Sequence, residues 1–297
     1  MPRQSRQQYS HSKLSTFENC PRQYEYRYIL KIPTETESIE AYMGKRVHEI
    51  LERLYHHVGR HGRPPSLRQV LDRYDQDWGG HWHDKVEIVR DDRDSDFYRL
   101  QGERCLEGYY RRHYPFDEGE TVGIEQRVSI RLDDEGAYRA RGIIDRLVRK
   151  RPGSYEIHDY KSGGYLPPRQ RLSRDRQLAL YQIGVQQTFP DAEEVELVWH
   201  YLAFGKTIRL SRSEEDLDGL RAETIGRIDV IEASEEFPPH PGPLCRWCEY
   251  RELCPDAEGR RAQPEPGALE PAPVPEPLAP EVRADPGILP GHQLSLL

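Results

Sequence analysis

Apolar positions recur with two different periods along this chain, and the change of period divides it. Residues 38–59, "SIEAYMGKRVHEILERLYHHVG", carry Tyr42, Val47, Ile50, Leu51 and Leu54 at helical spacing. Gly59 and the "RHGRPP" behind it supply the stop. A helix is also expected from about Ser15 to Tyr28, with Leu14, Phe17, Tyr24 and Tyr28 as its apolar bulk, and two more at about 66–78 and 94–113. From residue 122 the period falls to two. Val122, Ile124, Val128 and Ile130 mark a strand over 122–132, and 138–149 and 154–160 read as the next two. "DDEG" at 133–136 and "RPGS" at 151–154 read as the turns between them. A helix at 173–188, one or two strands within 194–209 and a helix at 214–233 follow. This order predicts an α/β core with a mixed sheet.

Composition alters that picture at the ends. Of 297 residues, 36% are hydrophobic and 32% charged, enough for a core, and no apolar run is long enough to cross a bilayer. The opening "MPRQSRQQYSHSK" is basic with no apolar stretch after it, so no secretory signal is read and a cytoplasmic location is expected. Residues 1–11 read as a flexible lead. From Ala262 the chain runs "AQPEPGALEPAPVPEPLAPEVRADPGILPGHQLSLL", with nine of the 24 prolines, so 262–292 is expected to be an extended linker. Half of the formal net charge of −8 lies there too, which leaves room for a positive groove in the folded part, 12–261.

Candidate chemistry gathers on the middle strands. Asp145 stands in "RARGIIDRLVRK" among Ile143, Ile144 and Leu147, where a carboxylate is costly unless paired or bound to a cation. On the following strand, "SYEIHDYKSGG", Asp159 and Lys161 share a face while Glu156 points away. Two carboxylates on adjacent strands suit a hard cation such as magnesium. A lysine beside them suits a phosphate, whose hydrolysis needs an activated water and charge compensation. A surface D-x-K triplet alone carries little weight. His48, beside the apolar stripe of its helix, reads on its own as a hydrogen-bonded core histidine, and Gln177 and Tyr181 are an ordinary i, i+4 pair.

Taken together and in this order, these residues resemble the PD-(D/E)XK nuclease superfamily, in its RecB-like branch. "GIIDRL" resembles its first acidic motif and "YEIHDYKSG" its second, with Ser162 where threonine is usual. "MGKRVHEIL", with Gly44 and His48, resembles the upstream G-x-x-x-H, and "RQLALYQ" the glutamine–tyrosine helix. The resemblance implies a restriction-endonuclease-like mixed sheet flanked by helices, with extra helices at about 60–115. It implies His48, Asp145, Asp159 and the Tyr160 carbonyl as ligands of magnesium or manganese, and Lys161 as the catalytic lysine. Gln177 and Tyr181 would hold the active site or the DNA strand.

The cysteines extend the resemblance. Cys245, Cys248 and Cys254 form C-x2-C-x5-C, and three thiols so close together suit a soft metal, zinc or an iron–sulfur cluster. Cys20, in "SHSKLSTFENCPRQYEY", is the candidate fourth ligand, while Cys105 reads as a buried helix residue. Both strings resemble the split cysteine set of AddB-type and CRISPR-adaptation nucleases. That implies a [4Fe-4S] cluster stapling the N- and C-terminal segments.

Arg169, Arg171, Arg174 and Arg176 fall within eight residues after the lysine strand and are candidate DNA-backbone contacts. Tyr165 and the aromatic-rich segments 24–28 and 108–114 read either as stacking groups for single-stranded DNA or as core. The final Gln293, Leu294, Ser295, Leu296 and Leu297 resemble a sliding-clamp-binding pentapeptide on a tether. No GxxxxGK[ST] phosphate loop is present, so a separate helicase would supply any unwinding. The expected function is a metal-dependent DNA exonuclease for single-stranded ends in repair or recombination. The rivals are a CRISPR-adaptation trimming nuclease, a DNA-binding scaffold subunit, and a zinc-stapled hydrolase of RNA.

Overall fold

The alternating segment of the sequence builds the centre of the molecule. The computed structural model of the chain describes residues 7–34 and 36–256. The linker and the terminal pentapeptide expected at 262–297 lie outside the described residues. The chain opens with β1 (Tyr9–Ser10), α1 (His11–Asn19), the short α2 (Pro21–Tyr24) and a π-helical turn over Glu25–Ile29. One helix from 15 to 28 was the expectation. Instead Cys20 takes an extended conformation between α1 and α2, and Pro21, which has no amide hydrogen to donate, starts the new helix.

After β2 (Glu37–Ser38) come α3 (Ile39–His61) and α4 (Leu67–His81). Ser38 and Ser66 cap their amino ends, and Gly62 closes α3 in the left-handed conformation at φ 64°. Next are β3 (Val86–Glu87) and α5 (Ser95–His113). The meander β4 (Glu120–Arg131), β5 (Arg139–Arg151) and β6 (Ser154–Lys161) follows. The chain continues through α6 (Arg169–Leu172), α7 (Arg176–Thr188), β7 (Glu194–Tyr201), β8 (Lys206–Ser211) and α8 (Glu214–Ala233). A 3-10 turn at Leu202–Phe204 separates the two strands foreseen within 194–209.

These elements make the mixed α/β architecture that the patterning predicts: a six-stranded sheet with helices on both faces. β4 and β6 flank β5 in antiparallel pairing, β7 runs parallel to β6, and β8 closes the edge. One face, with Ile157, Leu197 and Trp199, packs against α1, α7 and α8. The other, with Tyr160, packs against α3 and α5 through Tyr55, Leu106 and Tyr109.

The sheet is split where the chemistry lies. β6 pairs with β5 from Arg151 only as far as Arg146, and β1 takes up the same edge of β5 at Ala140 and Arg141. Gly142–Asp145 therefore face a fork between the strands rather than a neighbouring strand on that edge. Gly142 is dictated by the helix above it. A Cβ there would stand 2.1 Å from Cε1 of Tyr181 on α7.

Candidate metal and lysine centre

Asp145, on β5, points into the fork, and the backbone of Tyr160 on β6 fills it. The Tyr160 amide donates to Asp145 Oδ2 at 2.7 Å, and its carbonyl accepts from His48 Nε2 of α3 at 2.8 Å. His48 Nδ1 lies 3.6 Å from Asp145 Oδ2. Gly44, one turn earlier on α3, lets the helix come this close, for a Cβ there would be 3.2 Å from Ser162 Oγ.

A third donor joins them that the sequence reading did not include. Glu125 of β4 stands between Ile124 and Gln126, which pair with Arg146 and Ile144 on either side of Asp145, and has left-handed backbone at φ 47°. His48, Glu125 and Asp145 each offer a ligand atom, all within 4.8 Å of one another, and they line one pocket with Lys45, Glu49 and Glu52. Burial pushes the Asp145 carboxyl up to about 7, against the pull of His48 and with the help of Asp159. Burial also raises Glu125. Three such donors with reluctant carboxylates fit a hard divalent cation, which would relieve the cost of their charge.

Asp159 and Lys161 form the second half. Lys161 Nζ lies 2.8 Å from Asp159 Oδ2 and donates to Asp159 Oδ1 at 3.1 Å and to Gln177 Oε1 at 3.0 Å. Gln177 Nε2 donates in turn to Asp159 Oδ1 at 3.1 Å and to the Tyr181 hydroxyl at 3.3 Å. Asp159 Oδ2 is buried and faces the Lys161 ammonium without a well-aligned hydrogen bond, and Asp159 is not among the three donors that converge within 4.8 Å. Burial alone would lower the Lys161 ammonium, but Asp159 outweighs it and raises its pKa.

Behind Tyr160 the sheet carries a buried polar chain. His158 Nε2 donates to Glu156 Oε2 at 3.0 Å, so His158 Nδ1 accepts from His200 Nε2 at 2.8 Å. His200 Nδ1 accepts from the Thr207 hydroxyl at 3.2 Å. Arg146 lies over the Tyr55 ring, and the hydroxyls of Tyr55, Tyr109 and Tyr160 stand in a row at 2.6 and 3.3 Å. Glu156, turned away from the site, also takes Arg209 at 2.7 Å.

The arginines after the lysine strand are placed unequally. Arg169 and Arg174 are exposed, the former bonding the Arg209 carbonyl at 3.3 Å. Arg171 donates to the Tyr165 hydroxyl at 3.4 Å. Arg176 departs from the expectation of a DNA contact. Its buried guanidinium grips both oxygens of Glu18 at 2.8 and 2.9 Å and ties α7 to α1. Tyr24, Tyr109 and Tyr110 belong to the cores, not to a stacking surface.

The cysteines require the main correction. Cys105 is buried on α5, as its position implied. Cys20, Cys245, Cys248 and Cys254 are all free and border one cavity of about 1280 Å³. Yet among the described residues the donors that converge are His48, Glu125 and Asp145, and no three cysteine sulfurs come within 4.8 Å of one another. Cys20 and Cys245 instead accept backbone amides of His240 and Gly242 at 3.4 and 3.3 Å. Burial pushes the Cys248 thiol up to about 11, away from the thiolate that a cluster needs. The expected [4Fe-4S] staple, and with it the four-cysteine branch, is not what these side chains form.

The two ends of the fold are joined by other means. Glu249 accepts from Gln23 at 2.9 Å and pairs with Arg27, and the Tyr250 hydroxyl donates to the Ile32 carbonyl at 3.1 Å. Tyr26 and Tyr250 meet edge to face, 5.4 Å between centroids.

Comparison with known proteins fits this geometry. The profile of the PD-(D/E)XK nuclease superfamily matches residues 8–255. The chain belongs to that superfamily. No curated protein sequence matches it significantly. The crystal structure of a candidate exonuclease from Eubacterium rectale superposes with a TM-score of 0.50 at 13% identity, covering 89% of this chain and 92% of that one. At such low identity the likeness is one of fold. The structure of SSO0001 superposes with a TM-score of 0.31 at 14% identity, covering 83% of this chain and 95% of that one, and carries no further argument. The superfamily assignment makes the chain a nuclease-type enzyme. Among the described residues no helix is long and apolar enough to cross a membrane.

Proposed function

We propose that this chain is a magnesium- or manganese-dependent deoxyribonuclease that hydrolyses phosphodiester bonds at DNA ends, preferring single strands, in repair or recombination. The observation that carries this reading is the meeting of two clusters at one fork: the His48, Glu125 and Asp145 donors, and the Asp159–Lys161–Gln177 triangle.

His48, Asp145, Asp159 and the Tyr160 carbonyl would hold the metal, with Glu125 as an additional ligand. When bound, such an ion supplies Lewis acidity at the phosphate and an acidified water. Lys161, kept cationic by Asp159, donates to a phosphoryl oxygen as charge grows there. Gln177 sets the direction of that ammonium, and Tyr181 braces Gln177 against β5. Water adds to phosphorus, the bond from phosphorus to the leaving oxygen breaks, and that oxygen takes up a proton. Arg169, Arg171 and Arg174 are the candidate contacts to the DNA backbone. Residues 293–297 would tether the enzyme to a sliding clamp, and a separate helicase would open duplexes. Deleting 293–297 should abolish clamp binding without changing turnover.

The test uses single-stranded DNA labelled separately at each end, with manganese, magnesium or chelator, and the variant Lys161→Ala. Metal-dependent digestion that disappears in the variant is the expected result. Equal digestion by the variant, or none by the wild type, would refute the reading and favour a scaffold role.

A further inference from the structure

The loop that leaves the lysine strand presents an aromatic ring to solvent. Tyr165 is 53% exposed, four residues beyond Lys161, while most other large aromatics lie in the cores. At the usual reach of an extended chain, its Cα lies within about 14 Å of that of Lys161. Tyr201 is paired in register with Lys161, so the two side chains share one face of the sheet at the point where this loop departs. Between Lys161 and Tyr165, Gly163 and Gly164 have open space where a side chain would stand. Arg171 backs the ring, with its NH1 3.4 Å from the hydroxyl and its guanidinium carbon 5.8 Å from the centroid.

An exposed ring supported by a guanidinium, on the loop that leaves a lysine suited to phosphate, matches one nucleotide in two parts. The ring offers a face to a base, and the cation offers donors to the adjoining phosphate. Bases inside a duplex have both faces covered by their neighbours, so only an unpaired or terminal base can use such a platform.

We propose that Tyr165, held by Arg171, is a specificity-determining stacking platform that selects an unpaired nucleotide of the strand lying on Lys161. The inference rests on the nuclease reading above. It is tested by two separate measurements, so that failure of either can be told apart. The first is binding of a fluorescent single-stranded oligonucleotide, and of its blunt duplex, in chelator, where no cleavage occurs. Tyr165→Ala should weaken single-strand binding roughly 5- to 100-fold, the range that loss of one stacked base produces. Tyr165→Phe should restore it, and duplex binding should change less than about twofold. The second is metal-dependent digestion, where Tyr165→Ala should raise KM on the single strand by the same factor and leave kcat within about twofold. Unchanged single-strand affinity in Tyr165→Ala, or an equal loss on the duplex, would overturn the platform whether or not the enzyme cuts. Absent digestion by the wild type, with the binding difference intact, would overturn the nuclease reading alone.

Discussion

Lowering the pH from 7.5 to 5.5 should weaken this protein through its buried histidines. His158 and His200 are each 2% exposed behind Tyr160, and His113 is 9% exposed beside them. Burial comes first in holding all three below the ordinary imidazole range, with Arg146 adding to it in each case. For His113 the value falls to about 4. A histidine whose pKa is depressed on folding is neutral in both states above pH ~6.5, where its contribution is intact. As the pH falls, the unfolded chain binds a proton that the folded chain refuses, and stability is lost. Between pH 7.5 and 5.5 each such group removes at most about 1.4 kcal/mol, so the three together remove up to about 4 kcal/mol. Asp145, pushed up to about 7, binds its proton in the folded state over the same window and returns about 2 kcal/mol, leaving a net loss of about 2. Against a typical domain stability of ~5–15 kcal/mol this is a large fraction. Urea unfolding at pH 7.5, 6.5 and 5.5 measures it, with the slope against denaturant held constant as the control for two-state behaviour. His158→Gln should reduce the loss by about one histidine's share. A midpoint that stays flat from pH 7.5 to 5.5, or imidazole resonances of His158 and His200 that titrate near 6.5 in the folded protein, would refute the reasoning.

Three further outcomes are expected. Gly142→Ala drives a Cβ to 2.1 Å from the Tyr181 ring and should cost about 1–3 kcal/mol in thermal unfolding. Adding Tyr181→Ala should recover part of that loss, as a double-mutant cycle would show. Arg176→Met should lower stability by about 1–3 kcal/mol, softened because Arg227 still holds Glu18 at 2.9 Å, while DNA affinity stays within about twofold. A tenfold loss of DNA affinity would return Arg176 to the substrate. Glu125→Gln should weaken manganese binding by calorimetry about 10-fold or more, as losses of metal-site partners commonly do, and unchanged affinity would remove Glu125 from the metal.

The sequence was most legible where local pattern and chemistry coincide. Alternation marked β4 to β6, and the D-x-K spacing put Asp159 and Lys161 on one face because successive strand residues alternate sides. Glu125 was invisible for the converse reason. It occupies a polar position of a strand, and only its left-handed backbone and the place of its neighbours across from β5 bring it to the centre. The break at Cys20 had a local signal in Pro21, which the apolar spacing masked. Arg176 looked like its neighbours because its partner, Glu18, is 158 residues away. Thiol spacing shows which cysteines are near in sequence but not where their sulfurs point.

The fork between β5 and β6 also makes the site its own reporter. In an unbroken sheet the amide of Tyr160 would be shielded from solvent by a neighbouring strand's carbonyl. Here its proton rests on the Asp145 carboxylate, so its rate of exchange with deuterated water depends on how tightly that one oxygen is engaged. Whatever takes charge from Asp145, be it a proton or a cation, should loosen this single backbone hydrogen while those of Ile157 and Leu197 stay slow. One amide in the middle of the sheet thus gives a readout of occupancy that needs neither a label nor a substrate.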